Sequence, residues 1–194
     1  MNTLKKAILF GYTVLLISLL VSCNQEQRKT DLSNQAATAL NPEAPVETEL
    51  LGQLVGTWDA AQSVINRDGS WGEETHSIWK WYYILDGHAI QDDWITIDSL
   101  KKKNVTGTNI RIYNPEENEW HMAWIDKTNR RLATFTAVND NGTVVMDGTN
   151  AKGRYIKNTF FNITDNEFDW KQEWTFNEGE TWVVVAKIHC KRKK

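Results

Sequence analysis

The regular spacing of turn residues after position 56 constrains the fold of this 194-residue chain more than any other feature. Turn-forming pairs such as Asp86-Gly87, Asn114-Pro115 and Asn141-Gly142 separate segments of roughly 8 to 12 residues that are rich in Trp, Ile, Val, Thr, Tyr and Phe. Such segments are typical of antiparallel strands joined by hairpins. The sequence therefore predicts an all-β meander of about ten strands, at approximately 57–66, 71–84, 88–98, 105–113, 119–125, 131–138, 143–149, 154–164, 167–176 and 180–190.

Apolar and polar side chains alternate along several of these segments, which indicates strands with one buried face. The predicted buried sets are Phe168, Trp170, Trp174 and Phe176; Trp120, Met122 and Trp124; and Trp182, Val184, Ala186, Ile188 and Cys190. A register shift of one residue would turn these side chains to water, so the pattern also specifies how the strands pair.

A meander of this length leaves open edges unless it closes into a barrel. A barrel of about eight to ten strands either fills its lumen with side chains or holds one small ligand. We therefore predict an antiparallel barrel, preceded by a short helix at 47–55 in which leucines recur at helical spacing.

The segment at 50–58, which reads Leu-Leu-Gly-Gln-Leu-Val-Gly-Thr-Trp, resembles the opening of lipocalins and of the wider calycin superfamily. The resemblance implies that the helix plugs the base of the barrel. It also implies that Trp58, two residues after Gly56, packs beneath the helix against a basic residue of the last strand. Lys187 is the residue predicted for that role, or Arg192 if the strand runs on.

Two further motifs follow in order, Ile84-Leu85-Asp86-Gly87-His88 and Tyr113-Asn114-Pro115 with Trp120 after it. Together with the first motif they resemble a bacterial family of calycin-like domains of unknown function, over about residues 48–191. The resemblance implies a calycin-like barrel with a short N-terminal helix, and it brings no established catalytic set.

The N-terminus carries Lys5 and Lys6, then no charged residue from Ala7 to Val21. This is the order of a secretory signal, and the apolar run is too short for a typical membrane-spanning helix. It ends in Leu-Val-Ser-Cys, which resembles the lipobox of bacterial lipoproteins. The resemblance implies that residues 1–22 are a signal peptide and that Cys23 is lipidated with acyl chains such as palmitate.

Residues 23–46 are polar, with few large apolar groups, and we interpret them as a flexible tether between the lipid anchor and a domain at 47–194. The predicted location is the cell envelope, with the membrane as a partner through the lipid. Asn24 directly after the cysteine, by resemblance to proteobacterial sorting, favours the outer membrane if the host has one.

The formal charge of -3 and the short Lys/Arg clusters argue against a nucleic-acid partner. The chain has two cysteines, so lipidated Cys23 leaves Cys190 without a disulfide partner. Cysteines and histidines do not fall at metal-ligand spacing, and we predict neither a metal nor a cofactor. His189, near the C-terminus, is a possible haem ligand, and haem binding stays open as a minor alternative.

The chain contains ten tryptophans, a large share of which we expect in the core. Those on central strands are the predicted ligand-binding residues: Trp79, Trp81, Trp94, Trp124, Trp170 and Trp174. Three polar residues interleaved with them are predicted to anchor a ligand: Asp92, Arg111 and His121. The alternative is that these charged residues form a row on the outer face, since charged side chains are rarely buried.

Three functional hypotheses remain open from the sequence. The first is a membrane-tethered protein that binds a small apolar or aromatic ligand in the barrel. The second is a lipocalin-shaped enzyme that acts on a hydrophobic or phenolic substrate, with Asp92, Arg111 or His121 as acid, base or orienting group. The third is a filled barrel whose outer surface binds other proteins.

Overall fold

A computed structural model of the chain describes residues 39–150 and 153–194. The predicted signal peptide, Cys23 and most of the predicted tether lie outside the described residues. The described elements are α1 (Thr48–Gly52), β1 (Gly56–Val64), β2 (Thr75–Ile84), a 3-10 turn (Leu85–Gly87), β3 (Ala89–Ile97), β4 (Lys103–Asn114), β5 (Glu119–Asp126), β6 (Arg131–Asp140), β7 (Thr143–Thr149), β8 (Tyr155–Phe161), β9 (Glu167–Trp174) and β10 (Val183–Arg192).

The ten strands form one closed antiparallel barrel in which each strand pairs with its neighbours in sequence. Closure is made by β1 and β10, whose register runs from Trp58 opposite Arg192 to Val64 opposite Ala186. The predicted all-β barrel with a short N-terminal helix is confirmed. Most predicted strand limits lie within a few residues of the observed ones. No helix in the described ranges has the length and apolar character needed to cross a membrane.

Hairpin turns alternate between the two ends of the barrel. At one end, β6 and β7 are joined by Asn141 and Gly142, both with positive φ (52° and 85°). This pair suits the tight two-residue turn that matches the twist of antiparallel strands. The β2–β3, β4–β5 and β8–β9 connections lie at the same end, and the remaining hairpins form the opposite end.

The predicted alternation holds on most strands. Trp120, Met122 and Phe168 are buried inside the barrel, as the pattern of β5 and β9 indicates. On β10 the register shifts between Val184 and Ala186. Before this bulge, the opposite set of side chains points into the barrel. Val183 and Val185 therefore line the interior, where the simple alternation predicted Trp182 and Val184.

The base of the barrel is closed by α1. Leu51 and Leu54 are fully buried, and so is Trp58, whose indole N–H donates to the Leu54 carbonyl at 2.7 Å. The Trp58 ring meets Phe168 edge to face, with centroids 4.8 Å apart. The base therefore has the arrangement that the resemblance to calycins implied.

The basic partner of Trp58 is Arg192, not Lys187. The guanidinium carbon of Arg192 lies 4.0 Å from the Trp58 ring centroid, and its terminal nitrogens donate to the carbonyls of Val55 and Gln53 at 2.8 Å each. Lys187 lies on the outer face, where its Nζ is 4.5 Å from the centroid of Trp71. The difference arises because β10 runs on to Arg192, whose register places it opposite Trp58.

Gly56 provides the space for this contact. Its φ is +138°, and a Cβ at this position would overlap the guanidinium of Arg192. Glycine is the residue that tolerates both this positive φ and the lack of space for a Cβ.

Candidate functional site in the barrel lumen

The lumen contains a cavity of about 740 Å³ above the plugged base. It opens at the end of the barrel opposite α1, beside the β1–β2 hairpin and the ends of β5 and β9. Its wall is mostly apolar. Phe135, Met146 and Ile156 contribute to the middle of the wall, and Phe176 lies at the mouth. Ten strands thus leave more room than their inward side chains fill.

Five of the six predicted tryptophans line this cavity: Trp79, Trp94, Trp124, Trp170 and Trp174. Trp79 lies at their centre, with its ring centroid 5.2 Å from that of Trp94 and 6.3 Å from that of Trp170, both nearly perpendicular to it. Trp81 is fully buried, but it belongs to the packed layer beneath the cavity and does not line it.

The position of Trp124 depends on the absence of a side chain on the adjacent strand. A Cβ on Gly107 would overlap the outer edge of the Trp124 ring. Gly107 therefore lets this indole lie against the wall of β4 rather than across the lumen.

A buried ion pair lies at the floor of the cavity. Arg111 on β4 pairs with Asp92 on β3, and the two side chains are 1% and 0% exposed. The second carboxylate oxygen of Asp92 accepts a hydrogen bond from the indole N–H of Trp79 at 2.5 Å. The alternative that these charged residues form an outer row is therefore wrong for Asp92 and Arg111.

Burial raises the pKa of the Asp92 carboxyl, and the charge of Arg111 and the hydrogen bond from Trp79 oppose that shift. Burial likewise lowers the pKa of Arg111, against the charge of Asp92. Removing two charges from water is costly, so each depends on the other. Both oxygens of Asp92 are engaged, which makes the carboxylate a fixed part of the floor.

Arg111 is also held by aromatic rings. Its guanidinium carbon lies 4.2 Å from the centroid of Trp81 and 5.7 Å from that of Phe160. Stacking of this kind suits arginine because its guanidinium is planar and weakly hydrated. Trp81 thus supports the floor from below, although it does not face the cavity.

Amide side chains that the sequence analysis missed form a second polar group on the wall. Gln172 Nε2 donates to Asn158 Oδ1 at 2.9 Å, and the Trp174 indole N–H donates to Gln172 Oε1 at 3.1 Å. Asn109 also lines the cavity, is 4% exposed, and forms no side-chain hydrogen bond with any residue that the structure describes.

Strand parity could have revealed part of this set. Asn109 lies two residues before Arg111 and so shares its face. Asn158 and Gln172 lie opposite each other on β8 and β9. Their residue types did not indicate a position inside the barrel, because asparagine and glutamine are usually exposed.

The mouth carries charged residues. Asp126 and Arg131 form an ion pair at 3.5 Å, and Asp126 also accepts hydrogen bonds from Asn129 and the Thr128 backbone. Arg67 lies on the rim and forms no ion pair within the described part of the chain.

His121 does not reach the lumen. It is paired in register with Ile112, whereas the partner of Arg111 is Met122, and antiparallel partners share a face. The His121 ring lies outside, with Nε2 2.6 Å from Glu117 and 3.4 Å from Glu119. The prediction that it anchors a ligand beside Arg111 was wrong by one residue of register.

His189, considered as a haem ligand, also lies on the outer face. Its Nδ1 is 2.9 Å from Asp169, and the side chain is 45% exposed. The lumen therefore receives no imidazole from this position.

Comparison with known proteins identifies the fold. The chain is similar to the S-type phycobiliprotein lyase CPES from Guillardia theta, with 15% identity, 78% of this chain and 94% of the lyase covered, and a TM-score of 0.52. At that identity the likeness concerns the calycin-like fold alone. No protein-family model matches the chain. No curated protein matches it either.

Proposed function

We propose that this protein is a membrane-tethered binding protein that holds a small, flat, apolar or aromatic ligand in its lumen. The observation that carries the proposal is the cavity of about 740 Å³, whose wall combines tryptophan rings with a few buried polar groups. Cavities of roughly 300–1,000 Å³ with such a lining are the usual sites of small-molecule binding.

The aromatic wall suits a planar ligand. The rings of Trp94, Trp124, Trp170 and Trp174 surround the space, and aromatic pairs favour stacked or edge-to-face contacts. Burial of apolar ligand surface stabilises the complex by about 25 cal/mol per Å² before the costs of association. The floor is polar, so the ligand we expect is amphipathic.

The geometry favours binding over the two alternatives. General acid–base catalysis needs a titratable group that is free to exchange a proton with a substrate. Asp92 has both oxygens engaged by Trp79 and Arg111, and His121 lies outside the barrel. A filled barrel that acts only through its surface is contradicted by the open cavity.

The binding proposal is tested with 1-anilinonaphthalene-8-sulfonate, whose fluorescence rises in apolar sites. We expect saturable binding and competition by flat amphipathic compounds, among which we include retinoic acid and, because the similar barrel is that of a phycobiliprotein lyase, the linear tetrapyrrole biliverdin. Ala133 lines the cavity, so Ala133→Trp should fill it and abolish binding.

The matched control is Thr134→Trp, which places the same ring on the exposed outer face of β6. It should leave binding unchanged. Equal loss of binding in both variants, or equal retention in both, would contradict a site in the lumen.

The membrane tether is a proposal that rests on the Leu-Val-Ser-Cys motif ending at Cys23. Several acyl chains, each contributing about 0.8 kcal/mol per buried methylene, would hold the protein stably on a bilayer. Cys23→Ser should abolish metabolic labelling with an alkyne analogue of palmitate and release the protein from membranes. Cys190→Ser is the control and should retain both properties.

A further inference from the structure

The hydrogen-bond acceptors at the floor of the cavity are already occupied by the protein. Asp92 accepts from the Trp79 indole N–H at 2.5 Å with one oxygen and from Arg111 with the other. Because each oxygen already accepts one hydrogen bond and Arg111 balances the charge, this carboxylate is a poor partner for a donor group on a ligand.

The side-chain oxygens of the amide residues higher on the wall are also occupied. Asn158 Oδ1 accepts from Gln172 at 2.9 Å, and Gln172 Oε1 accepts from Trp174 at 3.1 Å. The Oδ1 of Asn109 has no partner, but it is sealed within the wall and has no accessible surface.

Donors, in contrast, remain unused. Of the two terminal nitrogens of Arg111, Nη1 donates to Asp92 and Nη2 forms no hydrogen bond within the described residues. The amide nitrogens of Asn109 and Asn158 form no hydrogen bond there either, and all three residues line the cavity. Buried polar groups in folded proteins are nearly always paired, so this surplus of donors indicates a ligand acceptor.

The charges of the lumen also favour a ligand that carries an acceptor oxygen. Arg111 is balanced by Asp92 at the floor, and Arg131 by Asp126 at the mouth. Arg67 on the rim has no such balance among the described residues and leaves the cavity with a net positive charge. A cationic ligand would be repelled, and a neutral or anionic one would not.

We infer that the ligand carries a carbonyl or carboxylate oxygen, which accepts hydrogen bonds from Asn109 and Arg111 at the cavity floor, and that the lumen discriminates against amines. The inference rests on the proposed function and adds the chemistry of the ligand's polar end. It assigns Asn109 and Arg111 as residues that determine specificity, with the aromatic wall supplying the rest of the affinity.

The test is calorimetric titration with four probes that share one ring system: 2-acetonaphthone, 2-naphthoate, 2-ethylnaphthalene and 2-naphthylmethylammonium. We expect the two oxygen-bearing probes to bind about five- to thirtyfold more tightly than 2-ethylnaphthalene, the range of one to two net hydrogen bonds. The ammonium probe should bind most weakly.

The variant Asn109→Leu removes the amide with little change of volume. It should lower the affinity for 2-acetonaphthone towards that for 2-ethylnaphthalene, while the melting temperature stays equal or rises because an unpaired buried amide is lost. Thr136→Leu, an apolar replacement on the exposed outer face of β6, is the matched control and should change neither affinity.

Two outcomes would overturn the inference while leaving the proposed function in place. One is equal binding of all four probes. The other is an oxygen preference that persists undiminished in Asn109→Leu, because Asn109 would then take no part in recognition. If none of the probes binds, both the inference and the proposed function fail.

Discussion

Arg111 is stacked on Trp81, with its guanidinium carbon 4.2 Å from the ring centroid, inside a barrel where its side chain is only 1% exposed. The stacking holds the guanidinium at the boundary between two layers. Below it are the rings that pack with Leu51 of α1 and with Leu54, and above it is the open cavity. The pair with Asp92 thus forms both the top of the core and the floor of the candidate site.

The first prediction concerns that pair. Asp92→Leu leaves the charge of Arg111 buried without a partner and should lower the free energy of unfolding by about 3–5 kcal/mol. The double variant Asp92→Leu/Arg111→Met removes both charges and should recover most of that loss in urea titrations. A double variant that is as unstable as the single one would show that the ion pair is not the source of the loss.

The second prediction concerns the base. Trp58→Ala removes a fully buried ring that contacts Phe168 and Arg192, and we expect it to cost about 3–5 kcal/mol of unfolding free energy. Trp71→Ala, at a site 42% exposed on the outer face, is the control and should cost far less. A loss below about 1 kcal/mol for Trp58→Ala would contradict its role as the plug of the barrel.

The third prediction concerns Gly107. An added methyl would overlap Trp124, so Gly107→Ala should move this indole into the lumen, cost about 1–3 kcal/mol and weaken ligand binding. The second variant, Gly107→Ala/Trp124→Leu, relieves the overlap and should regain stability in urea titrations. If the single variant is as stable as the wild type, the close approach of the ring to β4 is not as described.

The fourth prediction concerns pH and the mouth. Burial alone would raise the pKa of Asp126, but the hydrogen bonds from Asn129 and the Thr128 backbone, with the charge of Arg131, outweigh it and hold the pKa below its ordinary value. A carboxyl with a lowered folded pKa contributes stability above its unfolded pKa of about 3.9, and this stability is lost as the pH falls through the folded value.

Asp126→Asn should therefore be less stable than the wild type at pH 7, by about 1 kcal/mol. The difference should shrink as the pH falls below about 4. Asp147→Asn, which removes an exposed carboxylate that accepts no hydrogen bond in the described structure, is the control. A difference that stays constant from pH 7 to pH 3 would refute the assignment.

Much of the fold was predictable because the signals are local. Turn pairs such as Asn141-Gly142 and the alternation in Phe168 to Trp174 specify strands, and the Gly56–Trp58 motif specifies the base. The bulge at Val185 was not predictable, since a bulge is decided by how β9 and β10 fit together.

The candidate site was predictable only in part. Trp79 and Asp92 line the lumen, as the ligand-binding hypothesis expected, but the residue pattern alone did not settle which face of their strands is buried. His121 was assigned to the wrong face, since an error of one residue in pairing β4 with β5 reverses its direction. Asn109 gave no signal by residue type, and its unpaired amide became evident only once the wall was assembled.

The central claim, that the lumen binds a flat ligand, is tested most directly by nuclear magnetic resonance of the protein labelled with ¹⁵N at its tryptophan indoles. On addition of 2-acetonaphthone, we expect saturable shifts for the indole N–H signals of the cavity residues Trp94, Trp124, Trp170 and Trp174. The signal of Trp71, on the outer face, should not move. Shifts confined to Trp71, or no saturable shift among the four cavity tryptophans, would contradict this claim.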